Sequence, residues 1–437
     1  MKWFAFIFIF SVLYSCSPYQ GGGELTGTRK ARKWFEPQPY GMVLIPTGSL
    51  NIGNNDEDIT WTMSASSKTI SVPAFWMDET EITNDEYRQF VAWVIDSIKR
   101  QRLADEGMEE FLMQSRKGEV MDPPRLNYQT RIDMRKEEYK DVLAGMMYQG
   151  DDRITENELD VRKVEYSYSW YDFAQAAHND RFYDRESGTY KGGFVINADG
   201  EKEAIKGRSS FILRKKVKIY PDTLCWLKDL TYAYNEPFVR EYFSHVGYDN
   251  YPVVGVNWHQ ARAFCNWRTQ FFNNYATTRV QEWRLPNEAE WEYAARGGLS
   301  GGKYPWGGPY TRNKKGCFLA NFKPLRGNYV SDGGYTTLPV GTYEPNGFGL
   351  YDMAGNVAEW TGDAFDESAY QQTSDLNPYY QVTAKKTDNK ISKRKVIRGG
   401  SWKDIAYYLQ CGVRDYEYED STRCFIGFRT VRTRIEY

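Results

Sequence analysis

Histidine is almost missing from this chain, with only His178, His245 and His259 among 437 residues. A mononuclear iron oxygenase needs two histidines and a carboxylate converging on one metal, and a histidine-rich hydrolase needs more, so the composition argues against both. An excess of charge of one sign is missing as well: 56 Lys and Arg stand against 58 Asp and Glu, a formal net charge of -2. That balance supplies no general basic field for nucleic acid and leaves only local patches open. Cysteine is scarce, six in all. The apolar run from Trp3 to Leu13 is shorter than the roughly 20 residues that a membrane-spanning helix needs.

Aromatic residues, by contrast, are abundant: they make up 16% of the chain, with 34 Tyr and 14 Trp. Large amphipathic rings at that density suit a loop-rich fold whose core and interfaces they fill. The length allows one large domain or two ordinary ones. Met1-Lys2 before the apolar run reads as a secretory signal, and Leu13-Tyr14-Ser15-Cys16 resembles a bacterial lipoprotein cleavage site. Residues 1–15 are therefore expected to be a signal peptide and Cys16 the lipidated residue, the alternative being an ordinary signal with a chance cysteine. Three acyl chains anchor stably where one holds only marginally. Residues 16–38, Gly-rich and polar, then read as the lipidated end and a flexible tether. Cys225, Cys265, Cys317, Cys411 and Cys424 remain, an odd number for an oxidising compartment, so at least one is expected to be free or bonded to another molecule.

Short elements separated by long loops follow. Gly41 to Pro46 and Gly48 to Gly53 read as strand, turn and strand, and Phe75 to Ile82 alternates into Thr83-Asn84-Asp85-Glu86, a capping box. Tyr87, Phe90, Val91, Val94, Ile95 and Ile98 continue at helical spacing and predict a helix with one buried face. Asn257 with Gln260, and Asn287 with Glu290, predict two further helix starts. Strands are expected at Pro252 to Val256 and Lys395 to Arg398. Few helices, short strands and much irregular structure make an α+β domain.

Three segments carry a more specific signal: Arg398-Gly399-Gly400-Ser401-Trp402, Gly427-Phe428-Arg429, and the run Trp283-Arg284-Leu285-Pro286-Asn287-Glu288-Ala289-Glu290-Trp291-Glu292-Tyr293. They closely resemble the formylglycine-generating enzyme, or sulfatase-modifying factor, family. The resemblance implies an elaborated C-type-lectin-like fold. It also implies a catalytic cysteine two residues after the motif's aromatic and a second five residues further on, where this chain has Asp404 and Leu409. Paired thiolates are the nucleophile and the copper(I) ligands of that oxidation, and a carboxylate with an aliphatic side chain cannot replace them. No catalytic residue and no copper are expected, which makes the chain a pseudoenzyme. Cys411 matches a structural cysteine of the family, which the resemblance pairs with Cys265 in a disulfide; a bridge from Cys317 to Cys424 is a guess. The resemblance further implies two structural calcium sites. One comprises Asp352, Gly355, Val357 and Glu359, and the other uses the side chains of Asn321 and Asp332 with the carbonyls of Phe322 and Gly334. Hard oxygen donors of this kind suit Ca²⁺. The alternative for Glu359 is a salt bridge to an arginine with no metal.

Between the family's first part, residues 39–99, and its second, residues 248–437, lies an inserted segment, 100–247, longer than usual for the family. In it Tyr166 to Phe173 alternates aromatic with polar residues, Phe211 to Tyr220 is a second candidate strand, and Glu109 to Gln114 reads as helical. Tyr166, Tyr168 and Trp170 have two readings, core of the insertion or protein interface. The lipoprotein signal, this body, an insertion ending in Tyr220-Pro221-Asp222-Thr223-Leu224-Cys225-Trp226, and the missing thiols together resemble the ring lipoproteins of the type IX secretion and gliding-motility machinery of Bacteroidota. That resemblance implies a periplasm-facing ring anchored in the outer membrane by lipid, formed by self-association and with the partner ring protein GldN (PorN), with no nucleic acid. An envelope enzyme of the formylglycine-generating type and a carbohydrate- or peptidoglycan-binding module are the alternatives.

Overall fold

The structure, a computed structural model, describes residues 36–54, 65–148, 158–233, 235–276 and 279–435. Cys16, the signal peptide and most of the tether lie outside the described residues. Three capping boxes set the main helices. Thr83 accepts from the Glu86 amide at 3.3 Å while Glu86 accepts from the Thr83 amide at 2.9 Å, starting α1, Asn84–Asp105. Asn257 and Gln260 exchange the same pair of bonds before α2, Trp258–Tyr275, and Asn287 and Glu290 do so before α3, Glu288–Ala295. Each box satisfies amides that would otherwise be orphaned at a helix start.

The opening strands are β1, Met42–Ile45, β2, Gly48–Ile52, β3, Lys68–Val72, and β4, Phe75–Asp78. The insertion contributes β5, Glu165–Tyr171, and β6, Ile212–Lys218. The closing part adds β7, Trp283–Arg284, β8, Ala358–Ala364, β9, Arg394–Arg398, β10, Asp415–Tyr418, β11, Ile426–Gly427, and β12, Val431–Thr433. One antiparallel sheet has the order β1-β4-β12-β7, and a second the order β10-β9-β8-β11, in which only β8 and β11 run parallel. β2 with β3 and β5 with β6 form separate antiparallel pairs.

Two expected elements differ. Pro252 to Val256 is not a strand: Gly255 has φ +73°, and the amides reach different segments, Val253 to the Ile82 carbonyl at 2.8 Å and Gly255 to that of Arg423 at 2.9 Å. A proline and a left-handed glycine break the ladder that its apolar run suggests. At Glu109 to Gln114 only Glu109–Phe111 turns, as a single 3₁₀ turn too short to sustain a helix.

The insertion belongs to the same compact unit as the rest of Gln38–Glu436. The Tyr166 ring meets Phe90 of α1 edge-on at 5.4 Å, and Phe90 in turn meets Phe264 of α2 at 5.8 Å. Tyr166 and Tyr168 are 6% and 4% exposed, inside the main hydrophobic cluster, with Trp170 packed partly buried against it. The interface reading therefore fails for Tyr166 and Tyr168. The alternating pattern identified the face of β5 correctly, and that face is covered by α1 and α2 rather than by a partner. Outward stand Ser167 and Ser169, with Arg214, Lys216 and Lys218 of β6 opposite or beside them.

All eight residues of α3 are buried, including three glutamates. Glu290 takes a bidentate pair from Arg284 at 2.6 and 2.7 Å, and Glu288 takes one from Arg414 at 2.6 and 2.9 Å. Glu292 is held by Arg296 at 2.6 Å and by a very short contact with Arg398. Removing one member strands its partner's charge in a medium that cannot solvate it, a loss of about 3–5 kcal/mol. Glu292→Ala is accordingly expected to lower the free energy of unfolding in urea by about that amount; a loss below about 1 kcal/mol would show the pair to be as wet as a surface bridge.

Candidate functional site

β8 carries Glu359 between two motif-bearing strands, opposite Arg398 of β9 and beside Gly427 of β11. The Gly-Gly of the first motif is required by space. Gly399 has φ +90° and a Cβ there would stand 3.1 Å from the Trp291 ring; Gly400 has φ +66° and would press on the backbone of Tyr408 at 2.9 Å. Through this close approach Trp291 Nε1 donates to Glu359 at 2.7 Å. Arg429, from the Gly-Phe-Arg motif, donates Nε and a terminal nitrogen to the same carboxylate at 2.8 and 2.7 Å, and caps the carbonyls of Asp78 and Tyr351.

Glu359 is thus in the salt bridge weighed above. It has company that sequence reading missed. Glu81, fully buried just before α1, accepts from Asn356 Nδ2 at 2.9 Å and from the Val357 amide at 3.1 Å. Its signal was an acidic residue in an alternating strand, which looks like an outward position. Two buried carboxylates, Glu81 and Glu359, and the half-buried Asp352 therefore lie around one guanidinium, which bonds only Glu359. Burial first, and then the neighbouring Asp352 and Glu359, push the Glu81 carboxyl well up; burial likewise holds Asp352 at about 6. The loop curls to bring these groups in, with Asp352 and Asn356 at positive φ.

Two residues of the other expected set, Asn321 and Asp332, lie close to the backbone of Phe322 and Gly334. Asp332 accepts from the Phe322 amide at 2.7 Å and the Gly334 amide at 3.3 Å, and Asn321 Oδ1 lies 2.8 Å from where a Cβ on Gly334 would stand. Asn321 Nδ2 donates to Asn356 Oδ1 at 3.2 Å, and the Asn356 amide donates back to the Asn321 carbonyl at 2.8 Å. Asn356 therefore ties the two sets together. Among the described residues no three Asp, Glu, His or Cys side chains converge as metal ligands, but each expected set needs only two, with backbone carbonyls. The donor chemistry fits a hard cation in both. At the Asp352 set the neighbouring negative charge adds to that fit, since Asp352 and the nearby Glu81 are less fully engaged than Glu359.

Of the two positions where the resemblance implies thiols, one is sealed and the other half-buried. Leu409 is fully buried with Tyr304, Ala320, Phe322 and Ala354. Asp404 accepts from the Ser401 hydroxyl at 2.5 Å, and burial raises its carboxyl. The cavity beside it measures about 10 Å³, room for about one water. The cysteines do not bridge. Cys265 lies in the cluster of α1 and α2, near Asp78 and Arg268, whereas Cys411 lies in a separate cluster, near Arg296 and Glu292, so the expected Cys265–Cys411 disulfide is not formed. Burial pushes both thiols up to about 12, which leaves them inert as nucleophiles. Cys317 is exposed while Cys424 is buried in the cluster that holds Cys225, so the guessed Cys317–Cys424 bridge is not formed either.

The family profile described as Sulfatase-modifying factor enzyme 1-like domain matches residues 30–434, and the chain belongs to that family. Its fold is accordingly the α+β, C-type-lectin-like one of sulfatase-modifying factors, enlarged by the insertion. The formylglycine-generating enzyme of Streptomyces coelicolor is 35% identical over 187 residues, 42% of this chain and 53% of that protein. A Bos taurus protein named inactive C-alpha-formylglycine-generating enzyme 2 is 36% identical over 185 residues, 41% of this chain and 49% of that protein. The chain thus spans about half the length of the curated relatives it matches, which include proteins named as enzymes and proteins named as inactive. Among solved structures, PvdO from Pseudomonas aeruginosa aligns over 90% of this chain and 94% of its own at 17% identity and a TM-score of 0.44.

The charge imbalance has a pH signature. Below an ordinary carboxylate pKa of about 4 both folded and unfolded Asp352 are protonated; above it the unfolded chain ionises first, so this group's contribution to stability falls as pH rises from about 4 through about 6. A bound divalent cation supplies the missing positive charge. In chelator the thermal midpoint is expected to fall across that window, calcium is expected to restore it, and Asp352→Asn to flatten both responses. A wild-type midpoint that calcium leaves unchanged at neutral pH would favour the salt bridge without metal.

Proposed function

We infer that this chain is a non-catalytic sulfatase-modifying-factor protein serving as a structural ring lipoprotein of the GldK (PorK) kind in type IX secretion and gliding motility. The observation that supports the non-catalytic part is what stands at the two thiol positions: Leu409, an aliphatic side chain sealed in an apolar cluster, and Asp404, a carboxylate held by the Ser401 hydroxyl. Cys16 would carry the lipid that holds it at the periplasmic side of the outer membrane. The body would make the lateral contacts of the ring and those to GldN (PorN). Calcium at the Asp352 and Asn321 sets would stiffen the loops beside β8, and copper has no role. An envelope enzyme remains the alternative for the scaffold, and a carbohydrate- or peptidoglycan-binding module the other.

Incubation with copper and a sulfatase peptide containing cysteine, read by mass spectrometry, is expected to leave the thiol intact; turnover above a protein-free control would return the chain to the enzymes. For the ring, the surface to test is the outward face of β5 and β6, because the aromatic face is spent on the core. Arg214 and Lys218 are exposed there, and no ion pair to another described residue involves either of them. Reversing both to Glu is expected to weaken co-purification of the partner ring protein by about tenfold, with circular dichroism unchanged. Undiminished capture would place the contact elsewhere.

A further inference from the structure

A cavity of about 310 Å³ opens between β5, α2 and β7, and its walls include neither Asp404 and Leu409 nor any expected calcium ligand. Its lining brings together one buried hydroxyl without a partner and two half-buried residues, Arg262 and Asn266, with donors that no described side chain takes up. The Tyr168 hydroxyl is buried and unpaired. Arg262 sits between two indoles, 5.0 Å from the Trp170 centroid and 4.8 Å from that of Trp258, and has no carboxylate partner among the described residues. Asn266 uses Oδ1 to accept from Tyr166 at 3.1 Å and from Gln270 at 2.9 Å, which leaves its Nδ2 without a partner among the described residues. An unpaired buried hydroxyl costs free energy unless something completes it, and a guanidinium fixed between aromatic faces is pre-organised to accept an oxyanion.

The acids at the site set the charge of what fits. Asp172 is already engaged by Gln175, at 2.9 and 2.8 Å, while Glu282 is exposed on the lining. Arg262 is the one lining cation not spent on a carboxylate, and Asp172 and Glu282 stand near it, so a singly charged carboxylate is opposed less than a dianion such as phosphate. The rings of Trp170, Trp283 and Tyr379 form the apolar remainder of the lining.

We propose that this cavity binds a carboxylate monoanion attached to an apolar or aromatic group, either a free small acid or the carboxyl end of a peptide. Arg262, Tyr168 and Asn266 hold the carboxylate, and the rings take the rest. The reading is independent of the ring assignment. The test is calorimetric titration of the purified full chain with N-acetylphenylalanine, its amide, and a four-residue peptide ending in phenylalanine as the free acid. The acid is expected to bind saturably and the amide about tenfold more weakly, the loss of one charge-assisted bond. Tyr168→Phe, which removes only the unpaired hydroxyl, is expected to weaken the acid several-fold without disturbing the fold, and Arg262→Gln to weaken it further. Tighter binding of the peptide than of the single residue identifies a chain end as the source, and equal binding a free acid. Equal affinity for acid and amide, or no saturable binding of either up to about 10 mM, where even weak ligands register, would overturn the proposal.

Discussion

Three carboxylates on one buried helix govern the rest of this structure. Taking Glu288, Glu290 and Glu292 of α3 out of water costs several kcal/mol each unless a cation arrives with good geometry. The cations come from far apart in the chain, Arg284 from β7, Arg398 from β9 and Arg414 beyond it, with Arg296 from the helix end. Each pairing pins another segment around α3, so the two four-stranded sheets are held in place by charge as well as by apolar contact. This gives a physical reason for the Arg-Gly-Gly-Ser motif to stand in a chain without the thiols. Arg398 neutralises Glu292, and the glycines let Trp291 reach Glu359, and neither task involves catalysis.

The insertion is bound into the same arrangement. β5 lays its aromatic face across α1 and α2, so what reads as an addition to the chain is part of the main core. That leaves the polar outward side of β5 and β6, with its row of basic residues on β6, as the exposed face of this strand pair.

Much of this was legible in the sequence because it is local. Capping boxes need only four residues, and all three formed. β5 followed from alternation, β6 lies within the candidate strand Phe211 to Tyr220, and the Asp352 set came from the family resemblance. What was not legible depends on tertiary position. Alternation places Tyr166 and Tyr168 on one face and says nothing about what covers it. The Pro252 to Val256 run is as apolar as a strand, but its amides are claimed one by one by Ile82 and Arg423, contacts that no window of sequence contains. Cys265 and Cys411 match cysteines that pair elsewhere in the family, but a disulfide requires proximity, and the two occupy different clusters. Glu81, which lies past the end of β4, was overlooked since a buried acid is identified only by its partners.

The place of β12 in the first sheet bears on how the protein comes to be folded at all. Val431–Thr433 lies between β4 and β7, so a strand from the beginning of the body keeps an open edge until the last part of the chain is available to fill it. Contacts of such long sequence separation close late and slowly, and unpaired edges in the meantime are prone to pair wrongly. Synthesis from the N-terminal end therefore cannot bank a finished half. The body stays uncommitted until nearly all of it has emerged, and an unpaired edge of β4 is exposed to wrong pairing until β12 closes it.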